Sequence, residues 1–314
     1  MMKVDFERLF NSLSINDRGI QKRIEVDSSL GVFYGINDDG NFRLAFSSSM
    51  KAPVIESTKS INVSQGEESA NVYWTCFDLL RVEVSAAFFA FCQNLIEVIE
   101  NNYDEKNALG LLRRRYICWK NLFKDDVSKH VSKEVLQGLF GEMYFLYDYM
   151  LNKYDHKEAI MSWGGPDSTS KDFAVTDDWY EIKTIGATVP CVKISSIAQL
   201  SSSIRGHLVV VRVEQMPDSY LAPNSSVLDL LSSILALLND EVLENEVINK
   251  ISNYGIDIND EEIGKRFDVK SMDFYYVADD FPRITIEKVP YPEINNASYE
   301  ISIAGLLRFK EDRI

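Results

Sequence analysis

Residues 171–184, Lys-Asp-Phe-Ala-Val-Thr-Asp-Asp-Trp-Tyr-Glu-Ile-Lys-Thr, set charged side chains inside an otherwise apolar, β-prone run. If residues 176–179 form a turn, the flanking strands pair with Val175 opposite Tyr180 and Asp172 opposite Lys183. Glu181 and Lys183, two apart, project from one side of their strand, and Tyr180, Ile182 and Thr184 from the other. Two carboxylates and one ammonium then converge on one point. Such charges are costly to desolvate unless they are paired or bind an ion. Oxygens from Asp172 and Glu181, with the Ile182 carbonyl, suit a hard cation, Mg2+ or Mn2+, that keeps several of its waters. A water acidified by that ion and held near Lys183 is a nucleophile for in-line attack on phosphorus, with the lysine and the ion stabilising the growing negative charge. On an exposed hairpin the same Glu181 and Lys183 would be only a same-face salt bridge.

The elements around this hairpin must bring it a further ligand and a dry setting. Ser132 is a plausible N-cap for a helix running to about residue 152. That helix is apolar nearly all round, which marks burial on several sides. Its spacing sets Glu142 in the stripe Val135, Leu139, Glu142, Leu146, Tyr149, where a lone carboxylate is driven to protonate or to find a cation. Gly138 and Gly141 flank it at a cost of about 1 kcal/mol each against alanine, so a hairpin strand or DNA is expected to pack closely on this turn. Strands follow at 172–175, 180–185 and 189–194, then a helix at 196–204 and an apolar β-branched strand at 208–213. The order α-β-β-β-α-β describes a mixed sheet with helices on both faces.

Three regions are expected. Residues 1–100 read as a β-rich N-terminal module: a hairpin about Asn37-Asp38-Asp39-Gly40, strands at 72–77 and 80–84, and a closing helix at 86–99. Residues 101–214 hold the core, opened by a helix at 108–123 with a basic face. Residues 215–314 form an acidic α+β extension with helices at 227–238 and 240–253 and strands at 274–277, 283–289 and 299–303. The net charge of −15 opposes a general phosphate-binding surface. Most of it lies after Gln215, however, and Arg113, Arg114, Arg115, Lys120, Lys124, Lys129 and Lys133 make a basic strip to which a nucleic-acid contact could be confined. Four scattered cysteines and three separated histidines show neither a zinc nor a disulfide pattern. The longest apolar run, residues 86–92, is too short to span a bilayer, and the N-terminus lacks an apolar signal core. A cytoplasmic location without membrane attachment is the expectation.

With Glu142, Asp172 and Glu181-x-Lys183 in this element order, residues 132–213 resemble the PD-(D/E)xK nuclease superfamily. The strings Gly138-Leu-Phe-Gly-Glu142, Trp163-Gly-Gly-Pro166, Lys171-Asp172-Phe173 and Tyr180-Glu181-Ile182-Lys183 look closer still to a bacterial branch of it associated with restriction and phage-defence gene neighbourhoods. The resemblance implies a restriction-endonuclease-like fold and a magnesium-dependent DNA endonuclease, in which Asp172, Glu181 and Glu142 hold metal and Lys183 is the catalytic lysine. It also points to Gln199, where some members keep an active-site polar residue. Lys171 stands where the motif has proline and is a candidate phosphate contact. A literal Pro166-Asp167 lies in a Gly/Ser-rich loop, which disfavours Asp167 as the ligand. DNA, other subunits of a defence system and a second copy of the chain are the expected partners, since double-strand cleavage by this chemistry commonly uses two sites. The competing reading is a non-cleaving DNA-binding or scaffolding subunit with the same fold.

Overall fold

The computed structural model describes residues 4–120, 132–167, 171–202, 204–217, 223–255, 261–291 and 293–312. They form two compact units, one from Met1–His130, Leu231–Ile248 and Gly255–Gly264, the other from Val131–Leu230, Asn249–Tyr254 and Lys265–Ile314. The architecture is mixed α/β.

The first unit begins with helix α1 (Phe6–Asn11) and strands β1 (Gln21–Ile24), β2 (Gly31–Ile36), β3 (Phe42–Ser48), β4 (Ile61–Ser69) and β5 (Val72–Leu79). Their antiparallel order is β1-β2-β3-β5-β4, and the Asn37–Gly40 turn joins β2 to β3 as its residues predict. Residues 80–84, read as a strand, instead lead through a 3-10 turn into helix α2 (Ser85–Ile99), with α3 (Glu105–Lys120) after it. The stretch Val82–Ile99 has the length and apolarity of a membrane span. Here its buried residues face the unit's own core, Phe91 meeting Phe77, Tyr116 and Trp119. Each such ring contributes about 1.5–3 kcal/mol by leaving water.

The basic strip on α3 is largely engaged within this unit. Arg113 donates to the Val54 carbonyl at 3.2 Å, Arg114 pairs with Glu244 at 2.6 Å, and Lys120 pairs with Glu56 at 2.9 Å. Arg115 is buried and donates to the Leu235 carbonyl. Three consecutive arginines therefore do not line one solvated face, because a helix turns each by about 100° and this helix is covered on several sides. Lys124 and Lys129 lie outside the described residues.

The second unit carries the expected hairpin. Helix α4 (Lys133–Phe145) starts at Ser132, whose hydroxyl accepts from the Val135 N–H, and continues through a π-helical turn (Leu146–Met150) into α5 (Leu151–Lys153); after a break at Tyr154 and Asp155 comes α6 (His156–Ser162). Strands β6 (Phe173–Ala174), β7 (Asp178–Gly186), β8 (Cys191–Ile194) and β9 (Arg205–Met216) follow. Helices α7 (Val227–Leu237) and α8 (Glu241–Asn253), whose residues Leu231–Ile248 belong to the first unit, precede β10 (Arg266–Tyr276), β11 (Tyr299–Ser302) and β12 (Lys310–Glu311). The sheet order is β12-β10-β9-β7-β6, with β7 and β9 parallel and the other pairs antiparallel.

This corrects the sequence reading in four places. The third expected strand, β8, leaves the sheet and pairs with β11 in a separate ribbon, and the sheet position goes to β10 from far along the chain. The helix expected at 196–204 is only a 3-10 turn, Ile197–Leu200. Residues 283–289, read as a strand, are coil with a 3-10 turn. The hairpin register is also shifted: Phe173 lies opposite Tyr180 and Ala174 opposite Trp179, because the chain turns tightly, with the Val175 N–H donating to the Asp178 carbonyl. The shift is an even number of residues, so every side chain stays on its expected face.

Helix α4 lies on the face of β7 that carries Tyr180 and Thr184: Phe145 packs on Tyr180, and a methyl added at Gly141 would land on Thr184 Oγ1. On the other face Trp179 packs into a cluster with Val192, Ile194, Leu208, Val210 and Ile301, so the ribbon covers that side. The close approach expected at the two glycines is thus real at Gly141, while Gly138 faces open space. Gly141→Ala should lower stability by about 1–3 kcal/mol through overpacking, and Gly138→Ala should raise it by up to about 1 kcal/mol through helix propensity. Urea unfolding midpoints of the two variants check both signs.

Candidate active site

Strand β7 fixes the centre. Alternation sends Glu181 and Lys183 to the same face, and the Lys183 ammonium donates to Glu181 Oε1 at 2.7 Å. This is no surface pair: Glu181 is 1% exposed, and its second oxygen, Oε2, is buried without a partner among the described residues. Asp172 stands just before β6, beside Glu181, and its Oδ2 accepts from the Ile182 N–H at 2.7 Å. Ile182 thus enters the site through its amide hydrogen, which holds Asp172 against β7.

Glu142 arrives from α4. Its Oε2 accepts from Trp163 Nε1 at 2.7 Å and from the Tyr254 hydroxyl at 2.5 Å. Trp163 is fully buried, bridges to Phe173 of β6 and stacks on its ring, so it plugs the loop into the core as its large apolar area favours. The Gly164 N–H donates to the Asp172 carbonyl at 2.8 Å, fastening the same loop to the metal-binding candidate. Sequence reasoning missed Tyr254. It lies more than seventy residues beyond Lys183, in no motif, and no local pattern could have placed it here.

The two auxiliary candidates meet each other. Lys171 donates to the carbonyls of Ala198 at 2.6 Å and Gln199 at 2.7 Å, with its ammonium 4.1 Å from the centre of the Trp179 ring. Gln199 sits on the 3-10 turn, and its Oε1 accepts from the Ser195 N–H at 2.7 Å. Lys171 therefore ties this turn to the segment that enters β6. The side chain of Asp167 lies outside the described structure.

Electrostatics bind the acids into one system. Burial, then the charge of Asp172, push Glu181 up to about 8. Burial and Asp172 likewise raise Glu142, against the lowering effect of the Trp163 and Tyr254 hydrogen bonds. Asp172 is raised by burial despite Lys183 and the Ile182 amide. Burial alone would lower Lys183, but Glu181 and Asp172 outweigh it and hold the ammonium charged. Burial brings Lys171 down to about 8.

Among the described residues no three His, Cys, Asp or Glu side chains gather closely enough to be a ready-made ligand set. Magnesium does not need one, since it commonly takes one or two carboxylates and keeps its waters. The Glu181 Oε2 next to Asp172 fits that demand: two hard oxygen donors, one of them buried and without another partner among the described residues. Glu142, with Oε2 already twice engaged, has only Oε1 to add.

An α4 glutamate, an aspartate before one strand, a Glu-x-Lys on the next and a mixed sheet between them define the class, the PD-(D/E)xK arrangement. A family model described as "Putative PD-(D/E)XK family member, (DUF4420)" matches residues 6–304, and the chain belongs to this family. No curated protein and no solved structure matches it.

A carboxyl whose folded pKa lies above its unfolded value contributes fully below the unfolded pKa, and that contribution is lost as pH rises towards the folded one. For Glu181 the window runs from about 4.5 to about 8. Without metal, the protein should lose stability across it, by at most about 1.4 kcal/mol per pH unit for one proton. Glu181→Gln should flatten that slope, as read from urea midpoints measured between pH 5 and pH 8.

Proposed function

We propose that this chain is a magnesium-dependent DNA endonuclease that hydrolyses phosphodiester bonds, working in the cytoplasm within a restriction or phage-defence system. The observation that carries the reading is the buried oxygen of Glu181, unpartnered among the described residues, beside Asp172 and the charged Lys183. Asp172 and Glu181 would hold the ion, Mg2+ or Mn2+, with Glu142 contributing through Oε1. When bound, the ion supplies a Lewis acid and an acidified water at neutral pH.

The chain's own residues do the remaining work. The Ile182 amide orients Asp172, and the Lys183 ammonium, anchored on Glu181, stands where negative charge would grow on a phosphate oxygen. The apolar cover from α4, Trp163 and the β8–β11 ribbon keeps the local dielectric low, which strengthens these interactions. Membership of a PD-(D/E)xK family supports DNA as substrate, and a second copy or further subunits would supply the second cut and much of the positive surface, since the arginines of α3 are engaged elsewhere.

A second reading is a non-cleaving, DNA-binding or scaffolding subunit. The absence of a preassembled three-acid set among the described residues favours it.

Purified protein incubated with plasmid and Mg2+ or Mn2+ distinguishes them. Metal-dependent nicking is expected, abolished by Asp172→Ala and lowered at least about 10²–10³-fold by Lys183→Ala, the usual cost of losing one charge-stabilising donor. Absence of nicking on every DNA offered, with or without partners, overturns the nuclease reading in favour of the scaffold.

A further inference from the structure

Tyr254 follows the last residue of α8 and reaches Glu142 from outside the hairpin and helix that carry the motif. Lys250, four residues earlier and so on the same helical face, donates to the Trp163 carbonyl. The Trp163 ring stacks with both Phe173, 6.2 Å away at 8°, and Tyr254, 6.4 Å away at 29°. One end of α8 therefore grips Trp163 through its carbonyl and its ring, and Trp163 and Tyr254 together grip Glu142.

What they grip is one atom. Both donors go to Oε2, and a carboxylate oxygen has two lone pairs, so that oxygen is filled. Both donors are neutral and held by packed rings, so the carboxylate is fixed without cancelling its charge. A glutamate held this way can offer a cation only Oε1, as a single-toothed ligand, which suits the strict octahedral geometry of magnesium better than a two-toothed carboxylate.

On the strength of the metal chemistry proposed above, we infer that Tyr254, with Trp163, is a positioning residue that presents Glu142 to the ion through Oε1. The end of α8 is then part of the active site, although nothing in its own sequence marks it. Partners of metal ligands placed in this way usually change metal affinity about 10–100-fold when lost.

Calorimetric titration with Mn2+ of the full chain tests this through a double-mutant cycle. Tyr254→Phe, which removes a single hydroxyl, should weaken Mn2+ binding about tenfold, and Glu142→Gln at least as much. In the Glu142→Gln background, Tyr254→Phe should cost nothing further, because its only route to the ion is gone. Wild-type affinity in Tyr254→Phe, or an equal loss in both backgrounds, overturns the role. Trp163→Phe removes the other donor and should show the same coupling, giving a second test should Tyr254→Phe not fold. If the wild-type protein itself binds no Mn2+, the metal reading falls and this role with it; binding by the wild type with an unresponsive Tyr254→Phe removes this role alone.

Discussion

The arrangement depends on the cost of keeping Asp172, Glu181 and Glu142 near one another away from bulk water. Asp172 raises the proton affinity of both glutamates, Glu181 adds to that of Glu142, and burial raises all three. Lys183 relieves part of the strain through one oxygen of Glu181, leaving the other without a partner among the described residues. A buried group of like charges persists in a fold either by holding protons or by holding a cation. The first alternative gives an inert core defect; the second gives a catalyst.

The scaffold around the acids consists of devices that stop them from separating. The Ile182 amide ties Asp172 to β7, and the Gly164 amide ties the Asp172 backbone to the Trp163 loop. Gly141 lets α4 press on Thr184, and the Gln137 side chain donates to the Thr184 carbonyl at 3.0 Å, so the helix bearing Glu142 is locked to the strand bearing Glu181. Lys171 fastens the Ile197–Leu200 turn to the segment entering β6. Each device is an ordinary hydrogen bond or close contact. Together they fix helix, loop and two strands about one point.

What the sequence made legible was local. Period two along β7 placed Glu181 and Lys183 together, and period 3.6 along α4 placed Glu142 among leucines. A glycine beside Glu142 announced close packing, correctly for Gly141 and wrongly for Gly138. What it hid was set by contacts between distant segments. The hairpin register depended on one turn hydrogen bond, and the two-residue error did no harm to the site because it preserved the faces. The departure of β8 to pair with β11, and the entry of β10 beside β9, follow from pairings fifty or more residues apart that no window on the sequence contains. Tyr254 belongs with these. Arg113, Arg114 and Arg115 misled for the same reason: their partners Val54, Glu244 and Leu235 lie far along the chain, and a charge run in isolation looks like a solvated face.

The claim that these acids exist to hold a cation is tested most directly by counting protons. Deprotonated ligands are what a metal binds, so binding to acids with raised proton affinity expels protons. Mn2+ titration calorimetry at pH 7, repeated in buffers of different ionisation heat, should show binding with release of about one to two protons per ion, since Glu142 and Glu181 are both raised to about 8, falling towards zero by about pH 9, and Asp172→Asn should remove the binding. No binding, or binding without proton release and indifferent to Asp172→Asn, would contradict the account.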